Sequence, residues 1–118
     1  MIGLKRVYDP FAASDGYRIL VDRLWPRGIS KEKAHIDYWC RDVAPTNELR
    51  HWFGHDPARW DEFVLRYTKE LEKNASAVEM LRTMLIKHKR ATLLFAAKDT
   101  GHNNAVALLP ILQRAMRK

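Results

Sequence analysis

The sequence predicts an α/β protein, a single three-layer domain with a small and mostly parallel sheet flanked by helices. Apolar runs typical of buried strands occur at residues 17–24 and 91–97, and segments of helical periodicity follow each of them. Strands that alternate with helices favour a parallel sheet with both faces covered. With 118 residues, of which 47% are hydrophobic, the chain can bury one core and is short for two. We therefore expect one domain over residues 1–118.

The first half of the chain contains three predicted strands, at residues 2–8, 17–24 and 35–43. The second has the continuous apolar run Ile19–Val21, which is typical of a strand buried on both faces, and Pro26 ends it. The third alternates only weakly between apolar and polar residues. Between these two strands, Ser30 is a suitable N-cap for a short helical turn over residues 31–34.

From Thr46 onwards the periodicity becomes helical, and four helices are predicted, at residues 46–53, 57–73, 74–89 and from about residue 103. Thr46 is the candidate N-cap of the first, and Gly54 is its stop. Asp56 and Pro57 supply the N-cap and the first-position proline of the second. Asn74 opens the third. Residues 91–97 form the clearest buried strand, and Pro110 is expected to kink the last helix.

The formal charge of +7 comes from the last third of the chain. Residues 1–81 hold thirteen basic and thirteen acidic residues, whereas residues 82–118 hold eight basic residues and one acid. Six of the eight are predicted near helix C-termini, at the edge where the strands begin: Lys87, Lys89, Arg90, Arg114, Arg117 and Lys118. The helix macrodipole alone favours cations there, by about 0.3–1 kcal/mol each. The alternative is a patch for nucleic acid or another polyanion, although no aromatic residue interleaves the cluster.

Polar segments follow two predicted strands, at residues 22–28 and 98–104. Ligands of open α/β sheets bind beyond the carboxyl ends of the strands, and the second segment also opens a helix whose N–H groups favour an anion. Arginine can bind a phosphate or carboxylate through its guanidinium fork, and lysine adds a point charge. The sequence therefore predicts a ligand site with Asp22 as a candidate catalytic carboxylate and with binding residues Arg23, Trp25, Arg27, Lys98, Asp99 and Asn103.

Each of these residues also has a purely structural interpretation. Asp22 can pair with a neighbouring arginine or cap a backbone turn, and Arg23 can pack its stem along the strand. Trp25 can close the core, and Asp99 can serve only as a cap of the last helix. The convergence of these residues at one sheet edge favours the functional interpretation.

The sequence does not contain the motif of a cysteine phosphatase, a metal site or a nucleotide-phosphate loop. A cysteine phosphatase loop needs Arg six positions after Cys, and after Cys40 that position holds Thr46. His51 and His55 have the spacing of metal ligands, but Gly54 interrupts their helix and no third ligand is evident. The phosphate-binding patterns GxxxxGK[ST] and GxGxxG do not occur. We predict neither a metal nor a cofactor.

The sequence lacks the features of membrane and exported proteins. It contains no run of eighteen apolar residues and no signal-peptide pattern, and its single Cys40 cannot form an internal disulfide. We expect a cytoplasmic protein without membrane contact. Trp52, Phe53 and Trp60 offer more aromatic surface than one small core needs, so we keep both a monomer and a homodimer open.

Four segments, in this order, resemble the YeaO-like family of small bacterial proteins of unknown function: KRVYDP, SDGYRILVDRLWPRG, DVAPTNELRHWF and LLFAAKDTGHNNA. The resemblance covers essentially the whole chain. It implies a compact cytosolic α/β domain and brings no established activity, substrate or cofactor. The family pattern falls on Ala97, Lys98, Asp99, Asn103 and Ala105. His102 could form an acid–base pair with Asp22 or Asp99, but the pattern leaves it out, which weakens His102 as a catalytic base.

Three hypotheses for the function remain. The preferred one is binding of a small anionic ligand, such as a nucleotide, phosphometabolite or modified base, at the carboxyl edge of the sheet. The second is an enzyme acting on such a ligand, with Asp22 as base or orienting group and with Arg27 and Lys98 stabilising negative charge. The third is nucleic-acid binding through the basic clusters at residues 87–90 and 114–118.

Overall fold

The computed structural model describes residues 2–117, which form four strands, five α-helices and three short 3-10 turns. The strands are β1 (Ile2–Arg6), β2 (Tyr17–Leu20), β3 (Tyr38–Trp39) and β4 (Ala91–Phe95). The helices are α1 (Lys31–Ala34), α2 (Asn47–Phe53), α3 (Trp60–Lys73), α4 (Ala75–Lys87) and α5 (Asn104–Met116). The 3-10 turns are Ala13–Asp15, Arg41–Val43 and Pro57–Arg59.

The four strands form one sheet in the order β1-β4-β2-β3, and every pairing is parallel. Leu93 in the centre of β4 is in register with Leu4 on one side and with Ile19 on the other. All five residues of β4 are buried, as expected for the continuous apolar run of a central parallel strand. The predicted three-layer α/β fold class is thus confirmed, and the sheet is parallel throughout.

The two faces of the sheet are covered unequally. On one face, Ile19, Leu93 and Phe95 belong to the main core, to which α2, α3, α4 and α5 contribute side chains. On the other face, Leu20 and Leu94 belong to a smaller cluster that Trp25 and Ala34 help to cover. Since the thick helical layer lies on one side only, α2 and the start of α5 can reach the carboxyl edge of the strands from that side.

The predicted helix boundaries are confirmed wherever a local capping signal defines them. The side chains of Ser30, Thr46 and Asp56 each accept a backbone N–H near the start of their helix or turn. Gly54 ends α2 in the left-handed conformation, with φ of 52°, which glycine adopts without a Cβ penalty. Pro57 follows its cap as predicted, but residues 57–59 form a 3-10 turn before α3 begins.

Two predicted strands are shorter than the sequence suggests. The segment 17–24 leaves the sheet after Leu20, because the side chain of Asp22 binds the backbone N–H of Ala96 in place of a continuing ladder. The segment 35–43 contributes only Tyr38–Trp39. His35, at its start, instead ends α1 in the left-handed conformation, and residues 41–43 form a 3-10 turn.

Smaller differences occur at the other element ends. β1 stops at Arg6 and β4 at Phe95, each two residues before the predicted end, and α4 stops at Lys87. Asn74 is the N-cap residue of α4, but its side chain forms no capping hydrogen bond and donates to Asp42 O instead, at 2.7 Å. Pro110 lies on the exposed side of α5, and the helix continues beyond it to Met116.

Buried Arg18 is a hub on the less covered face. Its side chain is 1% exposed, and its Nη1 forms an ion pair with Asp15. Its Nε donates to His35 O at 2.8 Å and its Nη2 to Ala34 O at 3.0 Å. Lys5 Nζ contacts the same carboxylate at 3.1 Å. Arg18 therefore ties the loop before β2 to the end of α1.

The aromatic residues proposed as a self-association surface pack within the chain. Phe53 is buried, and Trp60 packs against it with ring centroids 5.9 Å apart. Trp52 is covered by two guanidinium groups, Arg66 at 4.3 Å and Arg59 at 5.4 Å from its ring centroid. Among residues 2–117, no helix combines the length and the apolar character needed to cross a membrane.

Candidate functional site

A cleft of about 890 Å³ lies at the carboxyl edge of the strands. The segments after β2 and β4, the start of α5 and the C-terminal half of α2 form its walls. All seven residues predicted from the two strand-end segments line this one cleft: Asp22, Arg23, Trp25, Arg27, Lys98, Asp99 and Asn103. The parallel pairing of β2 with β4 brings the two segments together, as expected for neighbouring parallel strands.

Asp22 links the two strand ends at the floor of the cleft. Its Oδ2 accepts the backbone N–H of Ala96 at 2.9 Å, and its own carbonyl accepts the indole N–H of Trp39 at 2.7 Å. Burial raises the pKa of the Asp22 carboxyl above its ordinary value, although the Ala96 N–H, the Asn104 side chain and the charge on Arg50 act in the opposite direction. The carboxyl group is therefore a structural acceptor that holds its proton more tightly than an exposed aspartate does.

Two other predicted site residues have mainly structural roles. Arg23 donates to Pro45 O at 3.0 Å and to Ala44 O at 3.1 Å, so its guanidinium holds the segment that leads into α2. The indole of Trp25 donates to Ile29 O at 2.8 Å and packs edge-on against Trp39. These contacts shape the turn after β2. Trp25 packs against the smaller core cluster, as its structural interpretation anticipates, whereas Arg23 binds two backbone carbonyls and does not merely pack its stem along the strand.

The loop between β4 and α5 is organised by its own side chains. Asp99 accepts the backbone N–H groups of Gly101 and His102 and contacts the His102 ring at 3.0 Å. The Gly101 N–H and the His102 side chain hold the pKa of Asp99 below its ordinary value. Asn103, and not Asp99, is the N-cap of α5, since its side chain accepts from Val106 N at 3.0 Å and donates to Asp99 O at 2.9 Å.

Arg27 and Lys98 differ from these residues because their charged groups have no hydrogen-bond or ion-pair partner among the described residues. Both residues are exposed, and they lie in the segments after β2 and after β4, respectively. The backbone carbonyl of Arg27 accepts the Tyr8 hydroxyl at 2.8 Å, which fixes the turn. Within residues 2–117, neither the Arg27 guanidinium nor the Lys98 ammonium forms a hydrogen bond or ion pair. The cleft therefore has two cations available to a ligand.

The wall of the cleft formed by the end of α2 was not predicted from the sequence. Arg50, His51 and His55 line the cleft, and Arg50 donates to Asn47 on its own helix. The cap and stop signals of α2 locate these residues near its C-terminal end, but no local signal tells which sheet edge that end approaches. Asn104 was also missed; its side chain donates to Val21 O at 2.9 Å and so fixes the start of α5 to β2.

The charges that line the cleft are unbalanced. Four basic residues (Arg23, Arg27, Arg50, Lys98) face two acidic ones (Asp22, Asp99), which leaves a net charge of +2 with the histidines neutral. Most of the remaining lining is apolar, including Leu24, Pro26, Phe53 and Phe63. A cationic rim around an apolar wall is suited to a ligand that carries an anionic group on a partly apolar body.

Neither a metal centre nor a reactive thiol emerges from the described geometry. No group of three or more His, Cys, Asp or Glu side chains in residues 2–117 is arranged to hold a metal ion. Cys40 is 3% exposed, and burial raises the pKa of its thiol to about 11. The thiol is therefore protonated and shielded near neutral pH, which makes it a poor nucleophile.

The basic residues of the alternative hypothesis lie at the opposite edge of the sheet. α4 ends at Lys87 just before β4 begins, and Arg82 Nε donates to Ala115 O at 3.3 Å, which joins α4 to the last turn of α5. We name Lys87, Lys89, Arg90, Arg114 and Arg117 the basic edge. Lys118, predicted as a further member, lies outside the described residues.

Comparisons with known proteins identify a family and name no activity. The family model described as "Inactive DUF488-N3 subclade" matches residues 1–118. The chain is 43% identical over 107 residues to the uncharacterized protein YeaO of Escherichia coli K12, covering 91% of this chain and 92% of that protein. It is 39% identical over 111 residues to the uncharacterized protein Rv3073c of Mycobacterium tuberculosis H37Rv, covering 94% and 92%. No solved structure gives a significant match. The chain therefore belongs to the DUF488-N3i family, and the predicted YeaO-like relationship is confirmed.

Proposed function

We propose that the protein binds a small anionic ligand, such as a nucleotide, phosphometabolite or modified base, in the cleft at the carboxyl edge of the sheet. One observation carries the proposal. Arg27 and Lys98, from two different strand-end segments, line the same cleft with charged groups that no described residue neutralises. Unoccupied cations that converge from two loops are expected where an anion completes the arrangement.

The lining residues divide into contact and support groups in this proposal. Arg27 and Lys98 contact the anionic group, and Arg50 adds positive charge from α2. Arg23, Trp25, Asp99 and Asn103 keep the supporting roles that their internal hydrogen bonds define. Support of this kind keeps the contact residues in place before the ligand arrives, which lowers the entropy cost of binding.

The size and lining of the cleft support a ligand larger than a simple inorganic ion. The volume of about 890 Å³ falls within the range of typical small-molecule sites. Apolar side chains, Trp25 and Leu24 among them, lie beside the cationic residues in the lining of the cleft. A planar ring that carries a phosphate or a carboxylate matches both features.

Catalysis on the same ligand is the second candidate, because Asp22 is a partly buried carboxyl group with a raised pKa at the floor of the cleft. Its Oδ2 is already bound to the Ala96 N–H, and the family description contains the word "inactive". Both facts favour binding without turnover. Asp22→Asn separates the candidates, since loss of product formation with ligand binding retained would support the enzyme.

The proposal is tested by calorimetric titration with AMP, ribose 5-phosphate and citrate. We expect at least one of them to bind, and Arg27→Ala and Lys98→Ala each to weaken its affinity about tenfold or more, as for a lost charge-assisted hydrogen bond. Lys69→Ala is the matched control, because Lys69 is an exposed lysine on α3 that does not line the cleft. Unchanged affinity in both Arg27→Ala and Lys98→Ala would refute the proposal.

A further inference from the structure

We propose that the opposite, amino-terminal edge of the sheet binds single-stranded nucleic acid. In this proposal the basic edge contacts phosphates, and a base stacks on an aromatic pair formed by Tyr17 and His88. The site is separate from the cleft, and neither proposal depends on the other.

The sheet topology brings the cations of the basic edge together. β4 begins at Ala91, immediately after the segment that carries Lys87, Lys89 and Arg90. α5 returns from the carboxyl edge and ends at Met116, and the hydrogen bond from Arg82 to Ala115 O holds its last turn against α4. Residues separated by more than twenty positions in the chain therefore share one edge.

Most of the positive charge of this edge is not neutralised by the described residues. Among the described residues, Lys87, Arg114 and Arg117 form no side-chain ion pair or hydrogen bond, and Arg90 donates only to a neutral carbonyl, Ser14 O, at 3.1 Å. Helix macrodipoles account for cations at helix C-termini, yet they supply only partial negative charge. The remaining positive potential is available to a polyanion.

The acidic residues near this edge are already engaged. Asp15 is paired with both Arg18 and Lys5. Asp37, which precedes β3, accepts the backbone N–H of Arg18 at 2.9 Å. These two carboxylates are therefore bound to Lys5, to Arg18 and to the backbone at the start of β2, and not to the cations of the basic edge.

An aromatic pair lies within the basic edge, which corrects the statement from the sequence that no aromatic residue interleaves this cluster. The ring of Tyr17, the first residue of β2, stacks on the ring of His88 with centroids 3.7 Å apart and an interplanar angle of 5°. His88 stands between Lys87 and Lys89 in the chain, and both rings retain partial exposure. The Tyr17 ring fixes the His88 plane, so that a base can extend the stack.

This combination favours single-stranded nucleic acid over other polyanions. Sequence-tolerant binders of single strands combine a positive surface for the backbone with aromatic rings for the bases. An acidic protein or a plain polyphosphate would use the cations and would gain nothing from a stacked ring pair. The role of His88 therefore distinguishes nucleic acid from these partners.

The first test measures fluorescence anisotropy of a labelled oligothymidylate of about 20 nucleotides, titrated with the full-length protein at several salt concentrations. We expect an affinity that falls steeply with salt. The double variant Lys87→Ala/Arg117→Ala should bind more weakly, with a log–log salt slope smaller by about 1.4, since each phosphate contact to a single strand contributes about 0.7.

The matched control is Lys69→Ala/Lys73→Ala, which removes the same charge from exposed residues of α3. The C-terminal end of α3 leads to Asn74, which bonds to Asp42 beyond the carboxyl end of β3, so these lysines lie away from the basic edge. The control should keep the slope of the wild type. An equal loss in both double variants would mean non-specific attraction and would overturn the proposal.

The second test addresses the stacked pair. His88→Ala should lower affinity for the oligonucleotide about 5- to 150-fold, as for loss of one base stack, and should leave the salt slope unchanged. His88→Phe keeps a planar ring and should restore most of the affinity, which excludes misfolding as the cause. Absence of oligonucleotide binding by the wild type, or equal binding by His88→Ala and His88→Phe, would overturn the proposal, as would equally tight binding of polyphosphate.

Discussion

Replacement of Arg18 by methionine should be among the most destabilising single changes in the chain. Methionine approximates the length of the arginine stem but removes a guanidinium that is 1% exposed. The change leaves the carbonyls of Ala34 and His35 without their donor and removes one cation from Asp15. Every partner of Arg18 on this face is therefore affected at once.

The expected cost follows from the partners that remain. Removing one member of a buried ion pair costs about 3–5 kcal/mol, because the other charge stays buried. Asp15 keeps Lys5 Nζ at 3.1 Å and the backbone N–H of Ala12 at 3.1 Å, so we expect the lower end, about 3 kcal/mol. For a domain of this size, that corresponds to a decrease of about 12 °C in Tm.

The pH dependence of this loss gives a second, independent check. Burial alone raises the pKa of Asp15, but hydrogen bonds from Ala12, Lys5 and Arg18 outweigh it, and the pKa lies below its ordinary value. A lowered carboxyl pKa contributes stability that is present above the unfolded-state pKa and is lost as the pH falls through the folded-state pKa. The difference between wild type and Arg18→Met should therefore be largest near pH 7 and smaller in acid.

The assay is urea unfolding followed by circular dichroism, with Arg114→Met as the control. Arg114 is exposed and forms no side-chain ion pair with the described residues, so its replacement should change the free energy of unfolding by less than about 0.5 kcal/mol. A free energy of unfolding for Arg18→Met within about 1 kcal/mol of the wild type would refute the assignment of Arg18 as a hub.

Three further changes test the site and the core. Asp22→Asn keeps an acceptor for the Ala96 N–H and removes a carboxyl group with a raised pKa, whose ionisation lowers the stability of the wild type as the pH rises through the folded-state pKa. In urea titrations, the free energy of unfolding of the variant should therefore equal or exceed that of the wild type at pH 7, and the difference should disappear in acid. Asn103→Ala removes the cap that accepts Val106 N and should cost about 1–2 kcal/mol in the same assay. Cys40, with its pKa raised to about 11 by burial, should not react with a disulfide reagent at pH 8 until urea unfolds the chain; rapid reaction of the native protein would contradict its burial.

The features that sequence reasoning predicts well are those with local causes. Thr46 and Gly54 bound α2 as expected, because capping depends on a few neighbouring residues. The apolar runs around Ile19 and Leu93 locate the two central strands, because a strand buried on both faces needs continuous apolar side chains. The fold class follows from the alternation of these local signals.

The features that it misses depend on pairing across the chain. β2 ends at Leu20 because Asp22 binds Ala96, more than seventy residues away, and no pattern near Asp22 shows that partner. Residues 35–43 provide only two residues to the sheet. His35 ends α1 and its carbonyl accepts the side chain of Arg18, and residues 41–43 form a 3-10 turn that buries Val43 in the core. Strand length is thus set by tertiary contacts that override local alternation.

The candidate site shows the same division. The two strand-end segments could be placed together because neighbouring parallel strands end at one edge. The approach of Arg50, His51 and His55 depends on the packing of α2 against α3, and the stacking of Tyr17 on His88 depends on the position of α4 relative to β2. Both are tertiary arrangements without a sequence signature.

The most direct test of the proposed cleft is thermal unfolding of the wild type and Lys98→Ala in parallel, against a panel of nucleotides, sugar phosphates and organic acids. A ligand present at about ten times its Kd adds about 1.4 kcal/mol, which raises Tm by about 4 °C or more in a domain of this size. We predict such an increase in the wild type with at least one compound, and its loss in Lys98→Ala. No increase with any compound, or an equal increase in both proteins, would contradict a small-anion site at the carboxyl edge.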